Sequence, residues 1–295
     1  MTLLVLLGPT GIGKTDLSIE LAKYFDTEIV SADSRQIYRE LDVGTAPPSP
    51  QQLDCVKHHF IKSRSIADEY TAGKYEFDAL ETIDKVFIQN EFVWLVGGSG
   101  LYIDAVCKGI DNIPPTDSAL RIELVERYKN EGIESMKQEL LRLDPDICNL
   151  IDIRNPQRIT RALEVCLTSG KPYSALRKNF EKQRPFNIVK IGLEMEREIL
   201  YRQINQRVDT MMNRGLLNEV ENLYPFRNYN ALKTVGYREL FDFIDGKTSL
   251  DEAIELIKRN TRRYAKRQMS WFARYPEIKW FNPNDLKKII TVLKK

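Results

Sequence analysis

Eight residues near the start of the chain, Gly8-Pro9-Thr10-Gly11-Ile12-Gly13-Lys14-Thr15, fit the pattern G-x-x-x-x-G-K-[ST] at every defined position. Leu3 to Leu7 before them form an apolar run that reads as a buried strand. Asp16 to Phe25 after them put Leu17, Leu21, Ala22 and Phe25 on one side of a helix. A strand, a glycine-rich turn and a helix in that order aim backbone N–H groups and the positive end of the helix at an anion. Lys14 supplies a point charge, and the Thr15 hydroxyl is expected to ligate Mg²⁺. The chain is therefore expected to bind a phosphorylated compound through Gly8, Pro9, Thr10, Gly11, Ile12, Gly13, Lys14 and Thr15.

Further short apolar runs follow, alternating with helical stretches: Glu28 to Ala32, Phe92 to Val96 and Ile188 to Met195, with Glu277 to Phe281 as a last candidate. This alternation predicts an α/β fold, a parallel sheet with helices on both faces, whose sites lie beyond the carboxyl ends of the strands. Thr15, Asp33 and Ser99 fall at or just past such ends. Ile113-Pro114-Pro115-Thr116-Asp117 breaks the pattern, and from about Ser118 to Ser169 the periodicity is helical. Gly170-Lys171-Pro172 and Gln183-Arg184-Pro185 are stops. We expect residues 1–113 and 186–295 to form the α/β core and 114–185 an inserted all-helical domain.

Composition excludes more than it selects. Of 295 residues, 42% are hydrophobic and 29% charged, enough for a sizeable core and against global disorder. The net charge of +2 says nothing about nucleic acid unless the cations cluster. Cys55, Cys107, Cys148 and Cys166 form no C-x-x-C pair, and scattered thiols suit a reducing cytosol. His58 and His59 are adjacent and share no face, which disfavours a two-histidine metal site. The leading apolar run is too short for a signal peptide or a membrane span, so a soluble, cytoplasmic protein with no membrane partner is expected.

The phosphate loop lacks a usual companion. A nucleoside-triphosphate hydrolase needs a strand ending in an acid that organises Mg²⁺. Phe92 to Val96 ends instead in Gly97-Gly98-Ser99-Gly100, and the available carboxylate is Asp33, at the end of the second strand. The loop is thus suited to cradle a diphosphate without driving phosphoryl transfer to water.

Six ordered blocks carry a resemblance over essentially the whole length: Ser31-Ala32-Asp33-Ser34-Arg35-Gln36-Ile37-Tyr38, Asp42-Val43-Gly44-Thr45-Ala46, Gly97 to Tyr102, Asn155 to Val165, Gly236-Tyr237-Arg238-Glu239, and Ala265 to Trp271. In this order the chain resembles the bacterial tRNA dimethylallyltransferase (tRNA isopentenyltransferase) family. The resemblance implies a fold like that of P-loop-containing nucleoside-triphosphate hydrolases. It also implies transfer of a dimethylallyl group from dimethylallyl diphosphate to the exocyclic N6 amine of adenine 37 of tRNA, with Mg²⁺ as cofactor and a monomer as the working form. Asp33 matches the general base that takes a proton from the amine as the C–N bond forms. Thr10 matches a residue contacting the prenyl diphosphate. Arg207 matches an arginine that steadies the departing diphosphate, which a guanidinium can grip bidentately. Asp33, Ser34, Arg35 and Gln36, then Ser99, Arg121, Gln157, Arg158, Ile159, Thr160 and Arg161, match positions that touch the anticodon stem-loop. Ser99 stands where the family more often has threonine. Relatives in eukaryotes carry a C-terminal zinc finger, whereas no Cys or His follows Cys166 here, which implies the bacterial form.

Two basic rows point to RNA independently. Arg259, Arg262, Arg263, Lys266 and Arg267 share one helix face, with Ile257, Thr261, Tyr264, Gln268 and Trp271 opposite. Arg154, Arg158 and Arg161 form a second row, in the insertion. Such rows suit phosphate backbones, and Arg263 and Arg267 join the RNA-contact candidates. A solvated face with acids nearby is the plain alternative. The target base must also leave its stack, at a cost of a few kcal/mol. Three other activities stay open on sequence alone. One is an adenylate isopentenyltransferase using free AMP, one a P-loop kinase or nucleic-acid motor hydrolysing ATP, and one a non-catalytic RNA-binding module.

Overall fold

In the computed structural model the chain is described from Met1 to Lys294 apart from Asn112, Pro115, Thr116 and Asn179, with the Ser118 side chain also left aside. It divides into two compact units, Met1–Cys107 with Gln183–Lys295, and Lys108–Lys182.

The first unit is built on six parallel strands: β1 (Thr2–Leu7), β2 (Ile29–Ala32), β3 (His58–His59), β4 (Phe92–Gly97), β5 (Asn187–Leu193) and β6 (Lys279–Phe281), in the spatial order β3-β2-β4-β1-β5-β6. Central β1 pairs with β4 (Leu3 opposite Val93) and with β5 (Leu3 opposite Ile188). Its side chains alternate between two cores. Leu3, Val5 and Leu7 enter one with Tyr75, Val106 and Phe272, and Leu4 and Leu6 enter the other with Leu17, Leu21 and Ile204. Burial on both faces is why β1 reads as an unbroken apolar run, and each such leucine contributes about 1.5–3 kcal/mol. The helices of this unit before the second one begins are α1 (Lys14–Tyr24), α2 (Pro50–Cys55), α3 (Ala72–Phe87) and α4 (Gly100–Lys108, whose last residue opens the other unit). A third core seats Ile37, Tyr38 and Leu41 against residues 208–257.

The second unit contains α5 (Ser118–Glu131), α6 (Ile133–Leu143), α7 (Pro156–Ser169) and α8 (Tyr173–Leu176), with no strand among its described residues. Leu124, Met136, Leu140, Ile147, Ile159 and Leu163 make its core. Its ends meet where the Lys182 N–H donates to the Lys108 carbonyl at 2.7 Å. That closure puts the division at residues 108 and 182, earlier than the expected 114 and 185. The expected boundary motif Ile113 to Asp117 falls partly outside the described residues.

The chain then returns through α9 (Arg197–Asn213), α10 (Leu216–Leu223), α11 (Tyr237–Ile244), the 23-residue α12 (Leu250–Phe272) and α13 (Leu286–Leu293), all in the first unit. Arg184 anchors the return. Its guanidinium is buried, pairs with Glu76 at 2.8 Å and donates to the carbonyls of Ala105 and Val106.

Candidate active site

The turn between β1 and α1 is shaped by its glycines. Gly11 (φ 80°) and Gly13 (φ 93°) are left-handed, a conformation that a side chain disfavours. Gly13 is the N-cap of α1, and no side chain caps the helix. The first N–H groups of α1 therefore lack the usual internal acceptor, which is the condition for binding an anion there. A cavity of about 360 Å³ opens at this point, lined by Thr10 through Asp16. Gly8 and Pro9 sit behind it, and their carbonyls accept from the Lys14 ammonium at 3.0 and 2.8 Å. Lys14 keeps some exposed surface, but its ammonium is turned inward. Burial there lowers its pKa from 10.5 to about 8, against the raising effect of the Asp33 charge and with a smaller lowering from Arg207.

Asp33 follows the last residue of β2 and lines the same cavity. Its Oδ1 accepts from the N–H groups of Arg35 (2.8 Å) and Gln36 (3.2 Å). This turn bond holds the carboxylate against its own backbone, and both hydrogen bonds fall on Oδ1. Asp33 is thus both a turn residue and an acid of the cavity wall. Arg207, on α9, completes the charged set. Burial pulls its pKa down, offset in part by Asp33, and its Nη2 donates to the Thr45 carbonyl at 3.1 Å. Gln36 Nε2 donates to the carbonyls of Thr45 and Ala46. Two cations and a row of amides thus surround a space that also holds the Asp33 carboxylate, while the exposed Asp16 at its wall accepts from Gln52, a charge pattern suited to a diphosphate and a group that must lose a proton.

Gly97-Gly98-Ser99-Gly100 stands where an acidic strand end would be, and packing explains its glycines. A Cβ on Gly97 would collide with the Ala32 carbonyl, on Gly98 with the Gln268 amide, and on Gly100 with the Trp271 indole. The loop is thus the seat of α12. Gln268 is buried and ties the phosphate loop to this seat. Its Oε1 accepts from the Thr10 N–H at 2.8 Å, and its Nε2 donates to the Gly98 carbonyl at 2.8 Å. Tyr264, one turn earlier, also lines the cavity. Burial, and next the charge of Asp33, push its hydroxyl up to about 12.

Of the expected contacts, Thr10, Asp33, Gln36, Lys14, Thr15 and Arg207 meet at the cavity. Ser99 is buried behind it, its Oγ accepting from the Ser34 N–H and donating to Ser34 Oγ. Arg35 points its guanidinium at the Asn230 carbonyl. In the helical unit, Gln157 and Arg158 are exposed. Ile159 is a correction: α7 turns it fully into the core, so its side chain cannot touch RNA. Thr160 is likewise buried and donates to the Pro156 carbonyl. Arg161 pairs with the buried Glu164 at 3.2 Å and donates to the Pro114 carbonyl, while half-exposed Arg121 lies 3.9 Å from the same acid. The row Arg154, Arg158, Arg161 is broken, because Arg154 precedes α7 and is held by Asp152. On α12, Arg259, Arg263, Lys266 and Arg267 are exposed, but Arg262 is drawn into a hydrogen bond with Asn205 of α9.

Gln268, Tyr264 and Thr45 were not foreseen as site residues. The first two carried a signal, being polar groups on the inward face of an amphipathic helix, where each must find a partner. Thr45 acts through its carbonyl and carried none.

A glycine-rich loop after the first of six parallel strands, with an acid at the end of the second, defines a P-loop-type α/β fold. Residues 36–275 match the family described as IPP transferase. Among curated relatives, tRNA dimethylallyltransferase 1 of Bacteroides fragilis is 48% identical over 292 residues, covering 99% of this chain and 97% of that protein. Its namesake in Bacteroides thetaiotaomicron is 49% identical over 293 residues, covering 99% and 95%. Among solved structures, a tRNA isopentenylpyrophosphate transferase from Bacillus halodurans is similar with TM-score 0.73 and 35% identity, over 99% of this chain and 94% of that one. A eukaryotic dimethylallyltransferase acting on tRNA is similar with TM-score 0.78 and 25% identity, over 98% and 76%. The chain belongs to the IPP transferase family.

Proposed function

We propose that the chain transfers a dimethylallyl group from dimethylallyl diphosphate to the N6 amine of adenine 37 in the anticodon loop of tRNA. The observation that carries this reading is the convergence of the uncapped α1 amides, Lys14, Arg207 and the Asp33 carboxylate on one cavity. The diphosphate lies in the loop Gly8–Thr15, held by the α1 amides, the Lys14 ammonium and Arg207. The adenine amine is a poor nucleophile because its lone pair is delocalised into the ring. As N6 bonds to C1 of the prenyl group, the C1–O bond breaks, diphosphate leaves with the bonding pair, and the amine proton passes to Asp33.

Mg²⁺ fits this arrangement through the Thr15 hydroxyl, a hard oxygen at the cavity wall. No cluster of three or more His, Cys, Asp or Glu groups suited to a metal exists among the described residues, and Mg²⁺ commonly needs only one or two protein oxygens beside substrate phosphates and water. When bound it would neutralise charge on the diphosphate. RNA is held by the exposed arginines of α12 and by Gln157, Arg158 and Arg121, with Arg35 beside the Asp33 turn. No helix among the described residues is long and apolar enough to cross a membrane.

Incubation with labelled dimethylallyl diphosphate, Mg²⁺ and unmodified tRNA, followed by nucleoside analysis, is the test. The expected product is N6-prenylated adenosine from tRNA and none from AMP. Prenylation of AMP alone, or RNA-stimulated ATP hydrolysis without prenylation, would overturn the reading.

A further inference from the structure

Residues 42–46 fold around a single carboxylate. Asp42, Val43 and Gly44 turn three successive N–H groups the same way, and Glu219 of α10 fills the concavity. Its Oε2 accepts from Asp42 (3.0 Å) and Val43 (2.6 Å), and its Oε1 from Gly44 (3.0 Å). The Tyr237 hydroxyl donates a fourth bond to Oε1 at 2.7 Å. Four donors match the roughly four lone-pair sites of a carboxylate, so Glu219 has none left for a ligand. The fit is close as well: a Cβ on Gly44 would lie 2.6 Å from the Tyr237 hydroxyl oxygen.

The far side of the same turn faces the cavity. With its N–H groups committed to Glu219, the turn presents the Thr45 carbonyl to Arg207 Nη2 at 3.1 Å, and the carbonyls of Thr45 and Ala46 to Gln36. Arg207 is partly buried and lines the cavity, and the Thr45 carbonyl is the acceptor that fixes the direction of its guanidinium. α10 is itself fixed, since Leu216, Val220 and Leu223 lie in the core that holds Ile37 and Leu41, just before the turn.

We propose that Glu219, supported by Tyr237, is a positioning residue for prenyl-diphosphate use: it locks the 42–46 turn whose Thr45 carbonyl aims Arg207 at the leaving group. This deepens the proposed function and rests on its reading of Arg207.

The test is steady-state kinetics on the full chain with dimethylallyl diphosphate and tRNA, for Glu219→Gln, Tyr237→Phe, Arg207→Ala and the double variant Glu219→Gln/Arg207→Ala. In Glu219→Gln an amide N–H replaces one acceptor oxygen and faces a backbone N–H. The KM for the diphosphate should rise about tenfold while the KM for tRNA stays unchanged. In the Arg207→Ala background the same substitution should add nothing, because both residues act through one group. Tyr237→Phe should give the same split with a smaller rise, and it carries the comparison if Glu219→Gln does not fold. Losses that add in the double variant, or a tRNA KM that rises equally, would mean a merely structural role and overturn the proposal. If Arg207→Ala itself leaves diphosphate KM unmoved, the reading of Arg207 falls first and takes this inference with it. If Arg207→Ala raises it but neither Glu219→Gln nor Tyr237→Phe does, only this inference fails.

Discussion

Asp33 and Lys14 govern the chemistry from opposite ends. Replacing Asp33 by Ala removes the proton acceptor and the turn bonds to Arg35 and Gln36 but leaves the α1 amides and Arg207 in place. The expected outcome is a loss of kcat of about 10²–10⁴-fold with tRNA affinity near normal, read by single-turnover prenylation beside a binding titration. Equal loss of binding would contradict it. Lys14 makes a pH prediction. Its pKa in the fold, about 8, lies below its ordinary value of 10.5. Between those two values the unfolded chain holds a proton that the folded chain has released, so this residue makes the free protein more stable as pH rises through that window. Diphosphate binding favours the ammonium and must restore that proton. Affinity for inorganic diphosphate should therefore weaken above about pH 8, by at most about tenfold per pH unit. The weakening should vanish in Lys14→Met, and a flat profile in the parent chain would count against the charge assignment. These two residues were legible in the sequence because a local motif fixes their backbone. Glu219 was not, because its importance comes from partners far along the chain, and Tyr264 showed only as a polar group on an inward helix face.

At the level of elements, the seat of α12 on the Gly97–Gly100 loop is the joint that sets the cavity. Gly100→Ala drives a methyl group into the Trp271 indole, which is itself held by a hydrogen bond to Asp104 at 3.0 Å. A loss of about 1–3 kcal/mol is expected in denaturant titration, and an unchanged midpoint would show that α12 can shift without cost. The Glu76–Arg184 pair is a sharper case. Glu76→Ala leaves a buried guanidinium with only carbonyl partners and should cost about 3–5 kcal/mol, whereas a change under about 1 kcal/mol would mean that water replaces the partner. Periodicity revealed β1, β2, β4 and β5 because each is a mostly apolar run bounded by turn residues. It missed β3, since the two residues His58–His59 are too short to show a period. The resemblance also gave Gln157 to Arg161 as one contact block, where the turn of α7 sends Ile159 and Thr160 inward.

For the whole molecule, 44 basic residues against 42 acidic ones leave almost no net field, so RNA affinity must come from where the cations stand. Arg263 and Arg267 are exposed on α12. Changing either to Ala should lower tRNA affinity and reduce the slope of log K against log salt by about one. An unaltered slope would remove that arginine from the phosphate contacts. The division into a sheet-based unit and a helical one was visible in the change of periodicity after residue 113. What joins the cavity together was not, since Gln268 to Thr10 spans 258 residues and an inward-facing amide does not by itself name its partner. The central claim is that one cavity holds the leaving diphosphate and the proton acceptor side by side. A crystal structure with an unreactive thiodiphosphate analogue of dimethylallyl diphosphate measures this directly. The expected result has the phosphates on the amides of residues 11–15 and the prenyl C1 on the side of Asp33. Phosphates bound elsewhere, or a prenyl carbon turned away from that carboxylate, would contradict it.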